Sequence, residues 1–575
     1  MQMGDVSPIG KGNMAEPLKL FLIRQVSAIK AELAAGWAGF RTNVPGLVTF
    51  WLLALGIGVA AGFAALLFRL GIGEVQAFLY GVDDPRHLHS YAQNLPWYWV
   101  LLIPAFGGLV VGAVLNWFTF DGRVRSVADV IEGAALFEGR VERRAGIGSA
   151  IASFITLSAG GSSGREGPVV HLAAVMASIV SVRLRASGIT ARDLMGCAVA
   201  AAVSASFNAP IAGAIFALEV VLRHFAIRSF APIAIASISG TIINRMKFGD
   251  VTEFRLVVDG SLAFNVELPA FLLLGLVSGL VAVVFMRSVF FGDDLASWVY
   301  AKTRMPRILR PALAGLMLGG IAIYYPHIIG VGYETTSAAL TGELVLHEAI
   351  IFAIIKVFAV SVTMGGRMGG GIFSPSLMLG ALTGLAFGMM ATAVFPNVSG
   401  SETIYALAGM GAVAAAVLGA PISTTLIVFE LTGDWQTGIA VMAAVSIASA
   451  LSSRLVHRSF FLSLLERRNV HLSGGPQAYL LSTLRVAAHL RAKEAVNAAD
   501  EATCWEMIED GIYVDGNASL EVVMPVFDGK GVDFIPVITL GGEGDAAQLW
   551  GAVFHVDALK AYNSVLSATA REEHA

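Results

Sequence analysis

The feature that most constrains this chain is a mixture of apolar runs that cross a membrane and apolar runs that cannot. Leu47 to Ile72, Trp97 to Phe120, Leu268 to Phe291 and Leu377 to Phe395 are each long enough to span a hydrocarbon core of roughly 30 Å as a helix. Ile147 to Leu157, Val169 to Val182 and Pro210 to Leu222 are too short, and glycine or proline punctuates them. In lipid, every backbone N–H and C=O must find its partner inside the protein, so these short pieces cannot end against hydrocarbon. They are expected to end against protein or a watery cavity near the midplane, as broken helices do.

Composition narrows this further. The chain is 56% hydrophobic and 14% charged, with a mean hydropathy of +0.72, so its bulk cannot be a water-soluble globule. A net charge of −4 lacks the basic footprint of a nucleic-acid binder. Only two cysteines occur, Cys197 in an apolar run and Cys504 in a polar one, which gives no basis for a disulfide framework or a cysteine metal site. No cofactor is expected.

Three parts are expected. Residues 1–46 carry Lys11, Lys19, Arg24, Lys30 and Arg41 without a signal-peptide core, whereas Gly73 to Pro96 carries Glu74, Asp83 and Asp84 against Arg86. By the positive-inside rule the N-terminal segment is cytoplasmic, and Leu18 to Trp37 within it reads as an amphipathic interfacial helix. Residues 47–465 form the membrane part. Residues 466–575 are polar and read as a small cytoplasmic α/β module, with strands at Phe534 to Ile538 and Leu549 to Phe554 and a helix at Val556 to Val565. The whole is expected to be a multi-pass protein of a bacterial inner membrane, in contact with lipid and with both termini cytoplasmic.

The membrane part repeats itself, over about 47–225 and 265–457. Asn208-Ala209-Pro210-Ile211 opens an apolar run that reaches Glu219, nine residues after its proline; Gly419-Ala420-Pro421-Ile422 opens one that reaches Glu430, again nine after. Upstream, Pro168 and Pro375 precede those prolines by 42 and 46 residues. Two similar halves are the sequence trace of many transporter folds.

Charge enters the apolar chain at Gly160-Gly161-Ser162-Ser163-Gly164-Arg165-Glu166-Gly167-Pro168. Proline suits the first turn of a helix, so a helix is predicted to start at about Gly167. Its free N–H groups and partial positive charge face the loop and favour an anion by ~0.3 to 2 kcal/mol. Gly369-Gly370-Gly371-Ile372-Phe373-Ser374-Pro375 repeats the construction in the second half. Two helix N-termini converging on one site would hold a small anion tightly enough to enter and weakly enough to leave.

GREGP at Gly164 to Pro168, GIFSP at Gly371 to Pro375 and NAPIAG at Asn208 to Gly213 resemble the CLC chloride channels and chloride/proton antiporters, over about Leu47 to Leu465. The resemblance implies an all-α inverted-repeat fold with broken helices, and a homodimer in which each subunit conducts chloride. It implies that Glu166 is the gating glutamate, a protonatable carboxylate that competes with chloride for the N–H groups around Gly164, Arg165 and Gly167. Gly371, Ile372 and Phe373 take the backbone positions that bind chloride in the family. The tail, from Leu520 to Leu559, resembles a CBS domain whose partner repeat, Val486 to Gly511, is poorly formed; adenine-nucleotide binding there is not claimed.

Three positions depart from the family pattern. Arg125-Ser126-Val127-Ala128-Asp129 stands where the family has GSGIP, which keeps the Ser126 hydroxyl, loses the glycines and adds the Arg125 charge near the inner mouth. Phe461 stands where the family has a chloride-coordinating tyrosine, so only a ring edge is on offer. Val220 stands where antiporters keep an internal proton glutamate, next to Glu219, and valine carries no proton. An uncoupled anion channel is therefore expected ahead of a chloride/proton antiporter.

Plainer readings stand beside these. Arg165 and Glu166 could pair with each other, Ser126 could be a loop serine, Phe461 could simply pack, Glu219 and Glu430 could cap interfaces or loop ends, and Arg143 and Arg144 could mark a cytoplasmic face. Ser162, Ser163, Glu166 and His171 could suggest an intramembrane hydrolase, but no strand-turn-helix elbow surrounds the serines. A cation-coupled carrier would need more midplane carboxylates than the short helices offer. No enzyme activity is expected.

Overall fold

A computed structural model describes residues 47–575 apart from 83, 187, 226, 251–253, 255–263, 397–400, 469, 471, 473–479, 482–483, 496, 517, 540–547 and 575. The interfacial helix predicted at Leu18 to Trp37 lies outside the described residues.

The first half runs through α1 (Leu47–Tyr80), α2 (Trp97–Phe118), α3 (Val127–Leu136), α4 (Arg143–Ser158), α5 (Glu166–Leu184), α6 (Gly188–Phe207), α7 (Pro210–Phe216) and α8 (Ile227–Phe248). The second runs through α9 (Phe264–Thr303), α10 (Leu309–Tyr324), α11 (Tyr333–Leu340), α12 (Leu346–Gly365), α13 (Phe373–Val394), α14 (Glu402–Leu418), α15 (Pro421–Thr432), α16 (Trp435–Val456) and α17 (Phe460–Glu466). Among the described residues, seven helices are long and apolar enough to cross a membrane. Val169 to Val182, expected to be too short to span, lies inside one of them, the 19-residue α5, because the helix runs on at both ends. Of the others, α6 and α8 have 20 and 22 residues while α3, α7, α11 and α15 are short, and the chain is a multi-pass membrane protein of the inverted-repeat class.

Helices α1 and α9 have 34 and 40 residues. At 1.5 Å per residue they measure about 51 and 60 Å, so they tilt or run on past the hydrocarbon. The apolar runs predicted only their middles, because the polar turns beyond the lipid leave no hydropathy signal. Helix α7 continues as a π-helical turn, Ala217–Leu222. Helix α5 starts at Glu166, one residue before the predicted start, which brings the glutamate into the first turn.

Helix α14 is buried along nearly its whole length and packs against α9, α13 and α16. Small residues permit that closeness: a Cβ on Gly409 of α14 would stand 2.7 Å from the Gly384 Cα of α13. The core therefore centres on α6, α13 and α14, which are buried over most of their lengths.

The tail contains a four-stranded sheet in the order β1 (Arg491–Ala492), β4 (Gln548–Phe554), β3 (Phe534–Thr539), β2 (Val514–Asp515). β4 is antiparallel to both β1 and β3, and β2 is parallel to β3. Helices α18 (Glu501–Glu509), α19 (Leu520–Lys530) and α20 (His555–His574) accompany it, and Val523, Phe527 and Ala558 pack onto Ile535, Val537 and Val553. The two long strands stand where alternation of apolar residues predicted them. β1 and β2, of two residues each, are too short to alternate.

Candidate functional site

The two glycine loops predicted to open helices meet directly. Gly164 N–H donates to Gly371 O and Gly371 N–H donates to Gly164 O, both at 2.7 Å, forming one antiparallel bridge between the halves. That bridge places the first turns of α5 and α13 side by side. The start of α3 approaches as well, since a Cβ on Gly167 would stand 3.9 Å from Val127 Cγ2. Three helix N-termini, each with N–H groups that have no intrahelical partner, thus surround one point.

Glu166 occupies that point and is only 1% exposed. Its Oε1 accepts a 2.5 Å hydrogen bond from Ser374 Oγ, in the first turn of α13. Its Oε2 has no hydrogen-bond partner among the described residues and lies over Gly164, where a Cβ would come within 2.6 Å of it. The same Cβ would be 3.1 Å from Ser374 N. Any residue other than glycine at 164 would therefore drive this carboxylate off the paired N-termini.

Two cavities meet at this glutamate and its neighbour. One, of about 330 Å³, is lined by Glu166, Gly371, Ile372, Phe373 and Phe461 and opens among Arg123, Arg367, Arg467 and Arg468. The other, of about 660 Å³, is lined by Arg165 together with Arg69, Lys247, His89, His327 and Glu334. Arg165 donates to Ser206 O at 3.2 Å and sits 5.1 Å above the Tyr333 ring. One peptide bond thus divides a carboxylate facing one cavity from a guanidinium facing the other. We call them inner and outer, the inner being on the side where the tail joins α17.

Of the other candidate residues, Ser126 lines the inner cavity from the N-cap of α3: its N–H donates to Asp129 Oδ2 at 2.7 Å, and its hydroxyl lies 3.5 Å from the same oxygen. Arg125 does not line that cavity; its charge is met by Asp121 at 2.9 Å, with Asp129 and Glu142 at 3.9 and 3.8 Å. Phe461 is buried against Phe460 edge to face, with its ring on the cavity. Phe373 packs on Phe207 and Phe216 at 4.7 and 5.6 Å, which leaves its backbone rather than its ring at the helix start.

Val220 is buried in the π-helical turn. Its neighbour Glu219 accepts from Ile422 N and Ser423 N of α15 at 2.9 and 2.8 Å. Glu430 returns the arrangement, accepting from Ile211 N and Ala212 N of α7 at 2.9 and 2.8 Å. Each half caps the other's broken helix, and the equal nine-residue spacing in the sequence is the mark of that exchange.

The structure adds residues that the motifs had not singled out. Ser374 belongs to the quoted GIFSP but had been read only as its framework; a hydroxyl just before the helix-opening proline was the available signal. Arg367, Arg467 and Arg468 line the inner cavity together with Asp293 and Asp294, from loops far apart in sequence where no spacing could have joined them; Arg467 is paired with Asp294 and Arg468 with Asp129 at 2.9 Å. The hydrolytic arrangement is absent: Ser163 Oγ donates to Gly369 O at 3.2 Å, while Ser162 Oγ and His171 Nδ1 are buried without partners among the described residues.

The family model for voltage gated chloride channels matches residues 107–453. A ClcB-like protein of Ralstonia nicotianae is 31% identical over 392 residues, covering 68% of this chain and 90% of its own. The voltage-gated ClC-type chloride channel ClcB of Escherichia coli is 30% identical over 417 residues, covering 71% of this chain and 96% of its own. A slow cyanobacterial Cl⁻/H⁺ antiporter of known structure, 20% identical, superposes with a TM-score of 0.64 over 73% of this chain and 97% of the other. On the family match and the identity to these relatives, the chain belongs to the voltage-gated chloride channel (CLC) family of anion channels and transporters.

Proposed function

We propose that the protein is a passive chloride channel in which Glu166 is the gate. The observation that carries this reading is the Glu166 carboxylate on the paired N-termini of α5 and α13, between two cavities, with one oxygen lacking a hydrogen-bond partner among the described residues. A chloride ion needs what that carboxylate is using: N–H donors and a partial positive charge without a full opposite charge. Protonation removes the carboxylate's charge, and with it the reason to stay; chloride then competes for the place. The backbone at Gly164, Arg165, Gly167, Gly371, Ile372 and Phe373 supplies the donors, and the Ser126 hydroxyl and the Phe461 ring edge face the ion's inner side.

The second half of the reading is that flux is uncoupled from protons. Val220 cannot carry one, and the Glu219 carboxylate beside it is held by two N–H groups of α15. The same reading extends to a homodimer with one pathway per subunit, in a bacterial inner membrane with both termini cytoplasmic, and to an N-terminal segment, membrane domain and CBS-like tail divided as the composition divides them. We assign no nucleotide to the tail.

Reversal potentials measured while chloride and pH are varied independently test the coupling. The expected potential follows the chloride gradient alone. A potential that shifts with the proton gradient at fixed chloride would make the protein a chloride/proton antiporter, with Glu166 serving as its external carboxylate.

A further inference from the structure

Beside the inner cavity lies another, of about 350 Å³, which does not reach Glu166. Four guanidinium groups line it, those of Arg123, Arg307, Arg310 and Arg367, against one carboxylate, Asp121. Arg125, which does not line this cavity, already holds Asp121 at 2.9 Å, and Arg310 is paired with Asp293 at 3.0 Å. Among the described residues, Arg123, Arg307 and Arg367 form no ion pair. Arg307 donates to Phe120 O at 3.0 Å and Arg367 to Asp121 O at 2.9 Å, contacts that fix each fork without neutralising it.

Like charges sharing a partly enclosed cavity repel, and an anion relieves the repulsion. Several planar forks converging on one space suit an anion with several oxygens far better than a single halide. The place in the membrane is equally informative. Helix α2 ends here at Phe118, α9 ends at Thr303 and α10 begins at Leu309, so the cavity lies at the level where spans leave the hydrocarbon. Trp117 and Phe120 beside it are 76% and 99% exposed, as aromatic residues at headgroup depth are.

We propose that this cavity binds a phosphate monoester or polyphosphate, offered either by a lipid headgroup or by a soluble anion. Arg123 and Arg367 line both this cavity and the inner cavity of the anion site. A bound phosphate therefore draws on two of the positive charges that concentrate chloride at the inner mouth, and flux falls. That consequence rests on the anion pathway proposed above; the binding does not.

The test uses the full chain in phosphatidylcholine nanodiscs, titrated with phosphatidic acid or with sodium tripolyphosphate, and read by native mass spectrometry and thermal unfolding. At least one probe is expected to bind and raise the melting temperature. Arg307→Gln is expected to bind about five-fold more weakly, following roughly 1 kcal/mol per basic residue at a membrane surface, with Arg307→Lys recovering only part of the loss because it restores the charge without the fork. Binding of phosphatidic acid identifies a lipid source, and binding of tripolyphosphate alone a soluble one. Binding of neither, or equal binding by Arg307→Gln, overturns the proposal. Chloride flux in vesicles of the same composition tests the consequence separately: binding with unchanged flux removes the charge-sharing step and leaves the site.

Discussion

Among the described residues, two junctions between the halves of this membrane protein are made through helix N-termini, and they differ in one respect. Where α7 meets α15, two carboxylates are exchanged, and each accepts from two backbone N–H groups. Where α5 meets α13, a single carboxylate accepts a 2.5 Å bond from the Ser374 hydroxyl at Oε1 beside the backbone N–H groups of Glu166 and Ser374, and its Oε2 has no close hydrogen-bond partner among the described residues. The physics of an anion on a helix N-terminus is common to both. Saturation separates them: a carboxylate with both oxygens engaged is a fastening, whereas one left partly unsatisfied beside a cavity can give up its place to another anion.

Breaking the unsaturated junction is expected to have the largest effect. Glu166→Ala vacates a place worth about 3 kcal/mol from helix N-terminus and charged hydrogen bond together, so chloride flux at neutral pH should rise on the order of a hundred-fold and lose its pH dependence. Flux measured from reconstituted vesicles decides it; unchanged flux and an intact pH profile would remove Glu166 from the pathway.

At the saturated junction the effect should fall on stability. Glu219→Ala or Glu430→Ala leaves two N–H groups uncapped and is expected to cost about 2 kcal/mol, read as a lower melting temperature in detergent, with flux per folded protein within about two-fold of the parent. A large change in single-protein flux without destabilisation would show that the two junctions are not distinct in kind.

Smaller still is Ser374→Ala, which removes one hydrogen bond of about 1.5 kcal/mol from the closed carboxylate and should raise flux about ten-fold. Gly164→Ala tests the same contact from the other side, because its Cβ lies 2.6 Å from Oε2. Flux should rise there too, and a fall would mean that the loop rather than the carboxylate had moved.

The outer cavity holds a carboxylate that sharpens the rule. Glu334, at the start of α11, accepts from His89 N and Ser90 N at 3.0 and 3.3 Å and from the Ser90 hydroxyl, and so belongs with the fastenings. Burial, then the charge of neighbouring His327, holds His89 down to about 4 from the ordinary 6.5, against the pull of Glu334. His89 is therefore neutral in the fold above about 4 and binds a proton more readily when unfolded. Its contribution is complete above pH 6.5 and is lost as pH falls toward 4. His89→Gln should flatten that part of the stability profile, measured by thermal unfolding across the window; an unaltered slope would assign the loss to other groups.

Much of this was legible in the sequence, and for physical reasons. Helix starts are written in short local signals, so Pro168, Pro210, Pro375 and Pro421 announced the starts of α5, α7, α13 and α15. The repeat was visible because a capping carboxylate must stand a fixed number of turns from the N-terminus of its own helix, which set the distance from Pro210 to Glu219 and from Pro421 to Glu430. What those carboxylates do was not legible, since each caps a helix in the opposite half. The same limit hid the arginines of the inner cavity and of the cavity beside it, which come from four separate loops and helix ends. Arg125 misled for a related reason: a charge in a loop reads as available until its partners, Asp121 and Asp129, are seen around it.

The bridge from Gly164 to Gly371 joins residues 207 positions apart in the chain. Neither half alone contains the site, and a contact of such high sequence separation forms only after the helices on both sides are in place. The anion pathway is thus among the last things this protein acquires as it matures in the membrane. A partly assembled chain can be fully inserted and helical while conducting nothing, which keeps the membrane tight during biogenesis.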